Sequence, residues 1–148
     1  MANTKMRSQS KDREIKAIAA DLKAEYLYVL IPFVLLIGVK LYFATWKDIF
    51  LSADWSLISC IVFGQVAFKM SKAVAKTKHK TTDQMFGYYA AKRFFFVVIS
   101  AAFYFAMLSK PTLSLGFAQI VLFAIATWFH FSDGVAAHLL QKEIKENA

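Results

Sequence analysis

Lys40 and Asp54 are the charges most exposed to a solvation penalty, one inside a long apolar stretch and the other at the edge of the next. Folding the two stretches back about Lys47 sets each of them seven residues from the turn, and therefore at similar depth. A lysine and an aspartate close together in a low-dielectric zone offset each other's desolvation cost, and an ionisable pair inside a membrane is a candidate site. The same two residues also have a structural reading. Lys40 lies about two turns from the surface and can extend its ammonium to water, while Asp54 can begin the next helix as its N-cap.

His130, Asp133 and His138 form the second constellation, a His-x2-Asp-x4-His spacing of the kind that invites a metal, a haem axial ligand or a proton relay. The angles argue against a shared site. At ~100° per residue, Asp133 lies about 60° from His130 and His138 about 80° to the other side, two turns away. A metal would need ligands from another helix, and the third histidine, His79, falls in a basic turn. The structural reading gathers His130, Asp133, His138, Lys69 and Arg93 into an interfacial cluster. Asp133 would pair with Lys69, Lys72 or Arg93, and the histidines would lie at headgroup level. No cofactor is expected.

The single cysteine, Cys60, excludes an intramolecular disulfide, a CxxC redox pair and a thiolate zinc site within one chain. No Gly-rich phosphate loop, HExxH, GxSxG or paired intramembrane carboxylates occur, so the chain is not expected to be an enzyme. Ser56, Cys60 and Gly64 make a small-xxx-small stripe, and Ser100 opens a similar smooth surface with Ala101, Ala102 and Ala106. Close helix packing uses such stripes, either within one chain or between copies. Gln65 and Gln119 would be costly against lipid, so each should face another helix or a water-filled path.

These residues must be positioned by membrane-spanning helices. The chain of 148 residues is 58% hydrophobic and only 19% charged, with mean hydropathy +0.45, and its charges cluster outside long apolar stretches. A soluble domain of this size keeps roughly a quarter of its residues charged. The expected fold is all-α, a polytopic membrane protein with four transmembrane helices in a bundle and helices extending into the cytoplasm. The spans read as 26–46, then an outer turn and second span in 47–70, a third in 94–109, and an outer turn and fourth span in 110–131. Pro111 breaks the chain between the last two. A bilayer needs ~20 apolar residues, whereas only 14 lie between Asp54 and Lys69, so a charge must sit near or inside the apolar zone.

Orientation follows from Lys and Arg. The arm 1–25 holds Lys5, Arg7, Lys11, Arg13, Lys16 and Lys23, and the middle loop holds Lys69, Lys72, Lys76, Lys78, Lys80, Lys92 and Arg93, whereas the outer turns hold only Lys47 and Lys110. The positive-inside rule then places both termini and the loop in the cytoplasm. Trp46, Trp55, Tyr26, Tyr28, Tyr88, Tyr89 and Trp128 fall near span ends, as interfacial aromatic belts require. The arm has no signal-peptide pattern. Ile15, Ile18, Ala19, Leu22 and Tyr26 share one helical face that either lies along the leaflet or runs into the first span, while 1–10 is expected to be disordered. Thr81 and Gln84 form a capping box that starts the second arm of a basic helical hairpin, 71–93, turning at 77–81. The tail 132–148 continues helically, with Lys142 and Glu146 spaced to pair.

Small multidrug transporters share the four spans but carry a glutamate in the first span where Lys40 stands here, and no family resemblance is close enough to carry a residue role over. The favoured reading is a non-enzymatic membrane scaffold or sensor subunit, homo-oligomeric, docking a cytosolic protein on its basic face. Lys72, Lys76, Lys78 and Lys80 would be the partner or lipid surface. A bacterial inner membrane and a multi-gene system, such as one responding to phage, suit this build. Anionic lipid explains the basic residues at ~1 kcal/mol each without a nucleic-acid partner. The alternatives are a small pore or transporter lined by Lys40, Asp54, Gln65 and Gln119, and a haem- or proton-handling subunit using His130 and Asp133.

Overall fold

A computed structural model describes residues 2–43, 46–75 and 83–146. The turn expected at 77–81, with Lys76, Lys78, His79, Lys80 and Thr81, lies outside the described residues. Within them every long element is helical and no strand occurs: α1 (Ala2–Phe43), α2 (Trp46–Phe50), α3 (Asp54–Ala75), α4 (Asp83–Ser109) and α5 (Leu113–Glu146). Four stretches are long and apolar enough to cross a bilayer, Ile15–Phe43, Trp46–Ala73, Ala91–Ser109 and Leu113–Leu139. The chain is an integral membrane protein, a four-helix bundle.

The arm expected to be disordered at 1–10 is helical from Ala2, and α1 runs without a break from there into the first span. Its 42 residues would reach ~63 Å at ~1.5 Å each. The reason is local. No glycine or proline precedes Pro32, so nothing interrupts propagation once the apolar segment has nucleated the helix. Pro32 removes one backbone bond inside the span, a loss that transmembrane helices tolerate.

In cross-section the bundle is a rhombus. α3 and α5 form the short diagonal, α4 packs chiefly on α3, and α1 rests on α5 and α3 from the other side, without touching α4 among the described residues. The core between α3 and α5 is Ile58, Val62, Phe63, Leu122 and Ala126. Phe63 stacks on Phe96 at 5.1 Å, and Phe129 closes the cluster. Polarity is inverted relative to a water-soluble bundle: Ser56, Ser59, Ser100, Gln119 and His130 are fully buried, whereas Leu35, Phe94, Phe117 and Trp128 face outward. Lipid solvates the outer face, so helix association here depends on packing and interhelical hydrogen bonds.

Two glycines allow close approach. A Cβ on Gly116 would lie 2.5 Å from the Phe50 carbonyl oxygen, and one on Gly134 would lie 2.5 Å from a Leu22 methyl. Gly64 does not behave as the small-residue stripe predicts, because nothing lies within 4 Å of its Cβ position. The stripe's phase explains this: Ser56 and Cys60 turn toward α5 and α4 respectively, and two turns on from Ser56 the helix has rotated Gly64 off both contacts.

Candidate functional site

The polar residues gather in two layers, one at each end of the apolar core. At the end opposite the termini, α1 presents Lys40 in its last turn and α3 presents Asp54 in its first. Each charge thus sits at the helix end whose dipole favours it. Lys40 Nζ donates to Asp54 Oδ2 and to Ser52 Oγ, both at 2.5 Å, and the Ser52 hydroxyl donates in turn to Asp54. The side chains are 34% and 27% exposed, so the pair is neither sequestered nor free in solvent. It opens into a cleft of about 440 Å³ that Asp48, Tyr104 and Pro111 also line.

Asp54 is not the N-cap of α3. Its own N–H points to Ser52 Oγ at 3.4 Å, while Ala53 O accepts from the N–H groups of Ser56 and Leu57. Freed from capping, the Asp54 carboxylate faces Lys40. A serine beside a lysine can be a nucleophile beside a base. Here both the ammonium and the hydroxyl point at one carboxylate, which closes the three side chains into an ion-pair network.

Behind this clamp lies Gln119, fully buried on α5. Its Nε2 donates to Ser52 O at 3.1 Å, and its Oε1 accepts from Ser56 Oγ at 2.7 Å. Lys40, Ser52, Asp54, Gln119 and Ser56 therefore form one polar line joining α1, α3 and α5. Trp55, assigned by sequence to an aromatic belt, is half-buried. It packs between Phe33 and Phe123, and its indole N–H donates to Ile49 O at 2.8 Å.

The second layer lies toward the termini. Arg93 Nε donates to Asp133 Oδ2 at 2.6 Å, with both side chains 11% exposed, and the guanidinium covers the Phe129 ring at 4.9 Å. Of the three cations expected near Asp133, α4 supplies the partner. Lys69 turns the other way, to Glu25 on α1, and Lys72 lies over Phe68. His130 is 1% exposed, so its ring faces the bundle interior and not its surface. Its Nε2 lies 3.2 Å from Leu22 O, and its Nδ1 has no hydrogen-bond partner. The reason is α1, whose continuation past Leu22 covers that face of α5 and seats Leu22 over Gly134. Tyr26, another expected belt residue, bonds Thr127 at 2.7 Å.

The structure brings Lys40 to Asp54, Ser56 to Gln119 and Arg93 to Asp133, and His130 and His138 stand two turns apart on α5. His138 is half-buried without a polar partner among the described residues. Cys60 donates weakly to Val97 O, and Ser100 bonds back to Phe96 O on its own helix. Gln65 lines a groove between α1 and α3. Ser52, Glu25, Thr127, Gly116 and Gly134 were not singled out by sequence. Ser52 alone had a local signal, as a hydroxyl two residues before an acidic helix start. Among the described residues no group of three or more His, Cys, Asp or Glu side chains is placed to hold a metal ion. Comparison with known protein families, curated proteins and solved structures finds no match to this chain.

Proposed function

We propose that the chain is a non-enzymatic integral-membrane scaffold or sensor subunit that assembles with copies of itself and docks a cytosolic protein at the end bearing its termini. The observation that carries this reading is the projection of three helices beyond their apolar spans at that one end. Residues 2–14 of α1, 83–90 of α4 and 140–146 of α5 continue as helix outside the stretches suited to lipid. Among the described residues the opposite end has only α2 and short turns, too little surface for a macromolecule. Lysine and arginine bias supports a cytoplasmic placement of the projecting end, and a bacterial inner membrane is the setting proposed with it. The buried polar line supports a structural role, since its members satisfy one another across helices and so stiffen the bundle.

The pore reading has one observation in its favour, the open cleft at Lys40 and Asp54. Against it, the Ile58, Val62, Phe63, Leu122 and Ala126 layer separates the two polar layers, so a conduit would have to run between copies. A mild-detergent pull-down from the native host separates the two, with a Lys76→Gln, Lys78→Gln, Lys80→Gln variant run beside the wild type. Enrichment of one soluble protein that the variant loses supports docking. Recovery of oligomers alone, with ion flux in liposomes, replaces it with the pore.

A further inference from the structure

We infer that the groove between α1 and α3 is a headgroup site for an aminophospholipid, a lipid carrying a phosphate and a primary ammonium. The two helices meet sparsely and leave a cavity of about 380 Å³ between Glu25, Tyr28 and Val29 on α1 and Gln65, Phe68 and Lys69 on α3. Tyr28 and Phe68 are 78% and 67% exposed, so the groove opens sideways, where the bilayer lies. The charged groups stand at its end nearest the termini. Lys69 is four residues from the end of its apolar stretch at Ala73, the level of phosphates and glycerol esters.

Charge complementarity selects the headgroup. Lys69 donates to Glu25, and Lys72 stands 5.9 Å from the Phe68 ring centroid, so two cations and one carboxylate border the opening. A phosphate drawn to Lys69 and Lys72 takes Lys69 from Glu25 and sets two anions side by side; the Glu25 carboxylate is 46% exposed, so the loss is the modest one of a partly exposed ion pair. A headgroup that brings its own ammonium repairs the loss by donating to Glu25. Phosphatidylglycerol has no cation to offer, and phosphatidylcholine has no N–H. Gln65 has no hydrogen-bond partner among the described residues, and its amide N–H can donate to a phosphate or ester oxygen. The apolar wall formed by Tyr28, Val29 and Phe68 accommodates the upper acyl chain.

The test is native mass spectrometry of the purified full chain with phosphatidylethanolamine and phosphatidylglycerol of identical acyl chains competing in one sample. The wild type should retain one phosphatidylethanolamine in preference by about threefold, equivalent to ~0.6 kcal/mol, the scale of a partly exposed ion pair. Glu25→Gln should erase that preference, chiefly by raising phosphatidylglycerol retention, because Lys69 no longer has to leave a carboxylate. Because the readout is a ratio within one sample, partial unfolding lowers both signals without altering it. If Glu25→Gln does not fold, the wild type with phosphatidylcholine decides the matter, since removing the N–H donors should cost the same factor. Equal retention of the competing lipids by the wild type, or an undiminished preference in Glu25→Gln, overturns the proposal.

Discussion

Replacing Gly116 by alanine should damage the bundle, and making the same change at Gly64 should not. A Cβ on Gly116 would stand 2.5 Å from the Phe50 carbonyl oxygen and 3.2 Å from its carbon, against 3.4 Å for ordinary contact. Backbone must therefore retreat by about 0.9 Å, because no flexible side-chain end is available to yield. Overpacking of this kind costs ~1–3 kcal/mol. Alanine in place of glycine also returns up to ~1 kcal/mol of helix propensity. Gly64 has nothing within 4 Å, so Gly64→Ala collects the second effect without the first. The propensity gain is common to both variants, and the difference between them isolates the packing cost at ~1–3 kcal/mol. Unfolding of the two purified variants by denaturing detergent, followed by circular dichroism, measures that difference. The consequence extends beyond local strain, because Phe50 leads directly into Ser52, whose carbonyl holds Gln119 and whose hydroxyl holds Lys40. If Gly64→Ala is as destabilising as Gly116→Ala, the reasoning fails, and the Gly64 face must be covered by a second copy.

Three further perturbations probe the polar layers. Arg93→Met should destabilise by ~3–5 kcal/mol by stranding the Asp133 carboxylate, and adding Asp133→Leu should recover most of it; a double variant no better than the single one, in the same unfolding assay, contradicts the pairing. Lys40→Met should cost ~1–3 kcal/mol, between the values for exposed and buried pairs, since the Lys40 and Asp54 side chains are about one-third exposed. Exchanging the two charges as Lys40→Asp with Asp54→Lys should restore only part of that stability, because each charge then opposes the dipole of its helix end; full restoration would show that the dipoles are irrelevant here. Gln119→Leu should cost ~1 kcal/mol, from two interhelical bonds averaging ~0.6 kcal/mol each in membranes, and a loss above ~3 kcal/mol in thermal melts would mean that Gln119 carries more than its two bonds.

Depth along the membrane normal was legible in the sequence, and rotation about each helix axis was not. Counting seven residues either side of Lys47 set Lys40 and Asp54 at one level, and they are in contact. Span-end arithmetic likewise put Asp133 near Lys69, Lys72 and Arg93, but the choice of Arg93 depends on α4 packing against α3 beside α5, a lateral arrangement that hydropathy does not encode. The same limit explains Gly64 and Gly116. Both are small residues on apolar helices, and only the path of α2 brings a carbonyl against one of them. Aromatic residues mislead for a related reason, since Trp55 and Tyr26 stand at the depths an interfacial belt occupies yet turn inward to meet Ile49 O and Thr127. In a lipid-facing bundle the usual guide to rotation, apolar inside and polar outside, is inverted. The informative phase belongs to the few polar side chains. Ser56, Gln119, Arg93 and Asp133 mark the inward faces of α3, α5 and α4, whereas the polar contacts of α1 over its span, from Glu25, Tyr26 and Lys40, lie at its two ends, and between them it is loose against α3. That looseness opens the groove at Glu25 and Lys69, so the helix that sequence patterning orients least is the one that leaves room for lipid.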